Sequence, residues 1–193
     1  MKAKIFILLS ILIACSIGVW WDMHSAPPVI ARTKTATTTA LPVPDITLQT
    51  LEGRAVRLLD YQGKFVLLNF WATWCAPCLK EFPAMLRLVE QYPESLVVLA
   101  VSVDTDATAI PRFLRQFEAT SPNALKSHNL IIAHDPNRAI AQDVFHTVKL
   151  PETYVIAPDQ RIIHKLIGAG DDWENGVLER MIAVNQGNPH YSK

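Results

Sequence analysis

Residues 64–78 read KFVLLNFWATWCAPC, and they constrain this chain more than any other stretch. After Gly63 comes an apolar run, 64–71, that does not alternate. A strand of that kind is buried on both faces. Trp74-Cys75-Ala76-Pro77-Cys78 follows, and then Phe82, Met85, Leu86 and Val89 recur at the i, i+3, i+4, i+7 spacing of one helix face. A buried strand that runs into a C-x-x-C pair at the start of a helix implies a layered α/β domain. It also sets two thiols at the strand-to-helix junction.

The same periodicities extend through the chain. Residues 46–49 and 55–58 read as a hairpin around Glu52-Gly53. Residues 96–103 (LVVLAVSV) are a second buried strand, and Ile110, Phe113, Leu114 and Phe117 return to helical spacing. A short strand is expected over 130–133 and a short helix over 138–144. A second hairpin joins 153–157 to 161–167 across Pro158-Asp159-Gln160. A closing helix after Asp172 turns Val177, Leu178, Met181 and Ile182 inward. This order predicts a mixed sheet with helices on both faces, and the apolar and aromatic stripes are its core.

The chain has 193 residues, half of them hydrophobic, with 18 basic and 18 acidic side chains. That suffices for one domain with a true core and excludes disorder, collagen and coiled coil as overall classes. A zero net charge without a basic block argues against a nucleic-acid partner. The three cysteines, Cys15, Cys75 and Cys78, are too few for a disulfide-dense scaffold or a four-cysteine zinc site.

Lys2 and Lys4 precede an uncharged run of seventeen residues, 5–21, that ends in Trp20 and Trp21 before Asp22. The run is at the short end of the roughly 17–25 residues that span a bilayer, and no convincing small-x-small cleavage site precedes Asp22. The lysines stay cytoplasmic by the positive-inside bias, which places the rest of the chain outside. The expected division is a membrane anchor or signal sequence over 1–22, a Pro/Thr/Ala-rich linker over 23–44, a folded domain over 45–188 and a tail over 189–193. Leu12-Ile13-Ala14-Cys15 resembles a lipobox, so a lipoprotein held through Cys15 is the alternative tether. The residues after Cys15 stay apolar, which counts against it.

Four readings compete for the C-x-x-C. Zinc lacks two further ligands at a matching spacing, because the six histidines are scattered and the third cysteine lies in the apolar N-terminal run. A c-type haem site needs a histidine where Leu79 stands. A purely structural disulfide would close a very short loop and stabilise little. A redox dithiol fits the context. Cys75 falls at a helix N-terminus, where unpaired N–H groups and the helix dipole favour a thiolate, and Cys78 lies one turn deeper. Pro77 suits the first turn, where a missing N–H is harmless. The outer thiolate then attacks a disulfide and the inner thiol resolves the mixed disulfide. Trp74 packs beside the exposed sulfur.

Residues 64–83 (KFVLLNFWATWCAPCLKEFP), Leu150-Pro151-Glu152-Thr153 with the following Tyr-Val-Ile, and the opening Pro44-Asp45-Ile46-Thr47-Leu48 resemble the TlpA/ResA/CcmG (DsbE)-like membrane-anchored thiol-disulfide oxidoreductases. The resemblance covers about 45–172. It implies a thioredoxin fold with an N-terminal β-hairpin and an inserted strand–helix segment, to which 125–148 corresponds. It implies a Cys75–Cys78 disulfide in the oxidised form. It also implies a cis Leu150–Pro151 bond against the two sulfurs, with the backbone before the proline open to an extended substrate. Thioredoxins have an Asp where Asn69 stands, and Asn cannot take the proton of the inner thiol. Glu81 matches a glutamate linked to cysteine reactivity in the extracytoplasmic members and is the expected acid/base. The implied activity is a disulfide reductase without cofactor or metal, facing the periplasm from the bacterial inner membrane. Its implied partners are disulfide-containing proteins, apocytochrome c or copper-site proteins among them, and a transmembrane electron donor. An oxidase or isomerase of the same fold is the alternative. A copper chaperone is the competing class, against which the C-x2-C spacing counts. A peroxidase would need a Thr where Ala72 stands.

Overall fold

The computed structural model describes residues 41–168 and, beyond them, Gly176, Arg180 and Ile182. The expected membrane helix over 1–22, nearly all of the linker and the tail lie outside these residues. So does the closing helix apart from Arg180 and Ile182, of which Ile182 is buried. No helix among the described residues is long and apolar enough to cross a membrane.

The centre is built by β4 (Phe65–Trp71) and β5 (Leu96–Ser102), two seven-residue strands buried at every position. They pair in parallel, Phe65 opposite Leu96 through Trp71 opposite Ser102. Parallel neighbours need a crossover, and α1 (Ala76–Gln91) supplies it. On the far side of β5 lies β6 (Leu130–His134), also parallel. On the other side of β4 lies β7 (Glu152–Ile156), antiparallel, followed by β8 (Arg161–Ile167) in the expected hairpin. The N-terminal hairpin, β2 (Thr47–Thr50) with β3 (Ala55–Arg57), docks on β6 through β2. The two-residue β1 (Leu41–Pro42) pairs with β8. The eight-stranded sheet is thus ordered β1-β8-β7-β4-β5-β6-β2-β3.

Consecutive side chains of a strand point to opposite faces, and β4 shows what covers each. Trp71 packs on Phe82 of α1 at 4.9 Å between ring centroids, with Phe113 at the same distance from Trp71. Its neighbour Phe70 packs on Phe145 at 5.3 Å. Helix α1 therefore covers one face and the 139–145 segment the other, the two-sided cover expected from the sequence.

Three local features depart from the sequence reading. The chain joins the sheet before residue 45, because Leu41 and Pro42 pair with β8 and the Val43 N–H donates to the Gln160 carbonyl (3.0 Å). The helix expected across 110–117 is α2 (Ala109–Leu114) continued by a 3₁₀ turn, Arg115–Phe117, and a further short helix, α3 (Pro122–Leu125), follows. The helix expected over 138–144 is a π-helical turn, Ala139–Val144. Asp135 Oδ2 accepts from the N–H groups of Ile140 (3.0 Å) and Ala141 (2.8 Å), so a side chain caps first-turn donors that have no partner within the helix.

Candidate active site

Strand β4 ends at Trp71, and the loop 72–75 delivers Cys75 to the N-cap of α1. Cys75 is extended (φ −86°, ψ 98°), and its Sγ accepts from the Cys78 N–H at 3.3 Å. Sulfur thus caps one of the orphan N–H groups of the helix. Cys75 and Cys78 are joined by a disulfide with their Cα atoms 5.3 Å apart. Cys75 is 5% exposed and Cys78 1%. Both cysteines are therefore buried, and Cys75 is not the exposed position that the sequence suggested. Ala76 and Pro77 between them are exposed, and Trp74 is 62% exposed.

The loop is gripped from β5. Asp104, two residues past the end of that strand and buried, accepts the Thr73 N–H on Oδ2 (2.9 Å) and the Thr73 hydroxyl on Oδ1 (2.8 Å). The Ser102 hydroxyl donates to the same carboxylate at 2.6 Å. His134 Nε2 lies 2.6 Å from the Asp104 carbonyl oxygen, an acceptor, and so donates to it. Sequence reasoning missed Asp104. Its signal was a carboxylate at the C-terminal end of a buried parallel strand, where α/β sheets place their sites.

The antiparallel register sets Glu152 opposite Phe70 and Thr153 opposite Asn69. Pro151 is therefore level with the end of β4, where the chain enters the dithiol loop. The Leu150–Pro151 bond is cis, the conformation the resemblance implied. Among the described residues, the N–H and carbonyl of Leu150 take part in no hydrogen bond. Asn69 is fully buried and its side-chain amide donates to Thr153 Oγ1 at 2.8 Å. Glu81, one turn past Cys78 on α1, is 4% exposed, a buried carboxylate and not a solvated one.

On the opposite face, beside the proline, Glu152 is fully buried. Its Oε1 accepts from Lys165 Nζ (2.7 Å), the Tyr154 hydroxyl (2.6 Å) and Thr147 (3.0 Å). Burial and the hydrogen bond to Glu152 hold the Tyr154 hydroxyl above its ordinary pKa. Desolvation pulls the Lys165 ammonium down, but the hydrogen bonds to Glu152 and Tyr154 outweigh it and the net shift is upward. The sequence reading also missed Arg138. This residue has a left-handed backbone (φ 56°), and its guanidinium lies 5.8 Å from the centroid of the Trp74 ring. No group of three or more His, Cys, Asp or Glu side chains among the described residues is arranged to hold a metal ion.

A capped, buried disulfide at a helix start, level with a cis-proline, is suited to thiol–disulfide exchange. Comparison with known proteins agrees. Residues 40–165 match the AhpC/TSA family. A thiol-disulfide oxidoreductase ResA of Bacillus cereus is 33% identical over 126 residues, 65% of this chain and 67% of that protein. The ResA of Bacillus subtilis is 26% identical over 168 residues, 86% and 87% of the two chains. The crystal structure of a thiol:disulfide interchange protein DsbE from Chlorobium tepidum superposes with a TM-score of 0.64 at 26% identity, over 77% of this chain and 97% of that one. The sheet and its helices are the thioredoxin-like α/β fold, and the chain belongs to the AhpC/TSA family as a thiol-disulfide oxidoreductase.

Proposed function

We propose that this protein is a membrane-tethered reductase of protein disulfides that works outside the cytoplasm. The observation that carries the proposal is the Cys75–Cys78 disulfide capping α1, level with a cis-proline whose preceding backbone groups are open to a partner. Reduced Cys75, stabilised as thiolate by the helix N-terminus, attacks one sulfur of a substrate disulfide and expels the other as a thiolate. Cys78 then loses its proton to Glu81 and attacks the Cys75 sulfur, which releases the second substrate thiolate. The substrate gains two electrons and the enzyme is left as the disulfide. Trp74 and Leu150 flank the incoming chain, and cis-Pro151 aligns it.

Direction follows from the tether. Lys2 and Lys4 before the uncharged run support a domain on the side of the membrane where thiols are oxidised, so a dithiol there is kept reduced only by electrons carried through the membrane. A transmembrane dithiol protein is the donor, and cysteines awaiting haem or copper are the substrates that need such a reductant. Trapping tests this. The Cys78→Ala variant, expressed in its host, should accumulate mixed disulfides on Cys75 with apocytochrome c or copper-site proteins. Recovery of Cys75 free of protein adducts, or failure of the reduced wild type to reduce insulin, would remove the reading. Alkylation of the reduced protein at mildly acidic pH should label Cys75 well before Cys78; the reverse order would exchange their roles.

A further inference from the structure

A small cavity opens at the dithiol end of the sheet, lined by Val103, Arg138, Gln142, Val148, Lys149 and Leu150 among others. Two links join it to the chemistry. The side chain of Arg138 lies over Trp74, the residue before Cys75, and Leu150 forms the cis bond with Pro151. A second, wider cleft continues from it past Gln142, His146, Thr147 and Val148. Val148, which lines both, is 88% exposed, and the exposed Trp74 is joined to the first through Arg138.

The charges around this rim are unequal. Neither Arg138 nor Lys149 takes part in an ion pair among the described residues. A guanidinium at cation–π distance from a ring, with no ion-pair partner, has N–H groups available for a carboxylate. Lys149 is exposed, and its chain lies along Gly168. The carboxylates nearby are turned inward. Asp104 accepts from Thr73 and Ser102, Asp135 from the π-helical turn, and Glu152 from Lys165, Tyr154 and Thr147. Among the described residues, Asp143, next to Gln142 in the π-helical turn, is an exposed acid, and Asp106, exposed past the end of β5, is a second at this end of the sheet. Among the described residues, Arg138 and Lys149 thus make this mouth cationic beside its apolar surface, in a chain with no net charge.

We propose that this mouth is a specificity element for an extended protein segment that carries carboxylates, with apolar residues between them, next to its disulfide. The proposal deepens the reductase reading and rests on it. Arg138 takes one carboxylate on the Trp74 side of the cysteine pair, Lys149 takes another on the cis-proline side, and Val148 and Trp74 cover the apolar residues. Complementary charge of this kind acts chiefly on the encounter rate and fades with salt.

The test uses the full chain, reduced beforehand, and three disulfide-bridged peptides of equal length and cysteine spacing with acidic, neutral or lysine flanks. The second-order rate of peptide reduction should be about tenfold higher for the acidic than for the lysine peptide at low ionic strength, and the gap should close in high salt. The Arg138→Gln/Lys149→Gln variant should lose the preference, and Arg138→Glu/Lys149→Glu should invert it. The readout is the acidic-to-lysine ratio within each variant, so a change in overall activity does not disturb it. Equal rates in the wild type, or a preference that survives charge reversal, would overturn the proposal. A small neutral disulfide separates the two levels: reaction with it but no discrimination among peptides defeats only the rim, and no reaction with it or any peptide defeats the reductase reading as well.

Discussion

At the scale of single residues, the reactive pair depends on neighbours that never touch a substrate. Asp104 takes both donors of Thr73 and so fixes the loop from which Cys75 starts α1. Asp104→Ala would leave a backbone N–H and two hydroxyls without their charged acceptor. Urea unfolding should show a loss of about 2–3 kcal/mol, together with altered Cys75 alkylation, because the thiolate's place at the helix N-terminus depends on that loop. Glu81 is a separate matter. Its carboxylate is buried one turn from Cys78, and Asn69, committed to Thr153, has no proton to exchange. Glu81→Gln keeps the shape and removes the base, so resolution of the mixed disulfide should slow and the pH profile of thiol reactivity over about pH 5–9 should shift. Rates equal to wild type throughout that range would leave Glu81 without a part in the proton transfer.

At the scale of elements, the β7–β8 hairpin has an ionic core. Lys165 binds Glu152, and its ammonium lies 4.8 Å from the Tyr154 ring centroid. Lys165→Met leaves Glu152 buried without its cation, and about 3 kcal/mol of stability should go with it. A Glu152→Gln/Lys165→Met double variant should recover most of that. The same group sets a pH dependence. Both Tyr154 and Lys165 have folded-state pKa values raised above their unfolded ones, so their contribution is complete below about pH 10 and is lost as pH rises further. Wild type should therefore weaken in alkali more steeply than a Tyr154→Phe/Lys165→Met variant, as followed by denaturant midpoints at stepped pH. Much of this level was legible beforehand. The apolar runs of β4 and β5 are unbroken and the stripe of α1 has a helical period, and the cysteine pair sits where the one pattern gives way to the other. The π-helical turn was not legible, because a segment of 6 residues is too short for apolar spacing to separate an i→i+5 turn from an i→i+4 one. Nor were Arg138 over Trp74 and Asp104 under Thr73, since each joins segments that only the sheet order brings together.

At the scale of the whole molecule, the sheet reaches further toward the N-terminus than hydropathy indicates. Leu41 and Pro42 pair with β8, and Val43 is buried. A chain begun at residue 45 should be less stable than one begun at 38 by about 2 kcal/mol, from one buried valine and the lost pairing; equal denaturant midpoints would mark β1 as dispensable. The depth of the two sulfurs matters at this scale too. With so little of either residue open to solvent, a small thiol should reduce the oxidised protein more slowly than a partner that docks on this face. A folded partner brings surface contacts that hold its cysteine in line. Exchange through the disulfide should then depend on which proteins dock as well as on the redox buffer around it, so that two such proteins of equal reduction potential would differ in the partners they serve fastest.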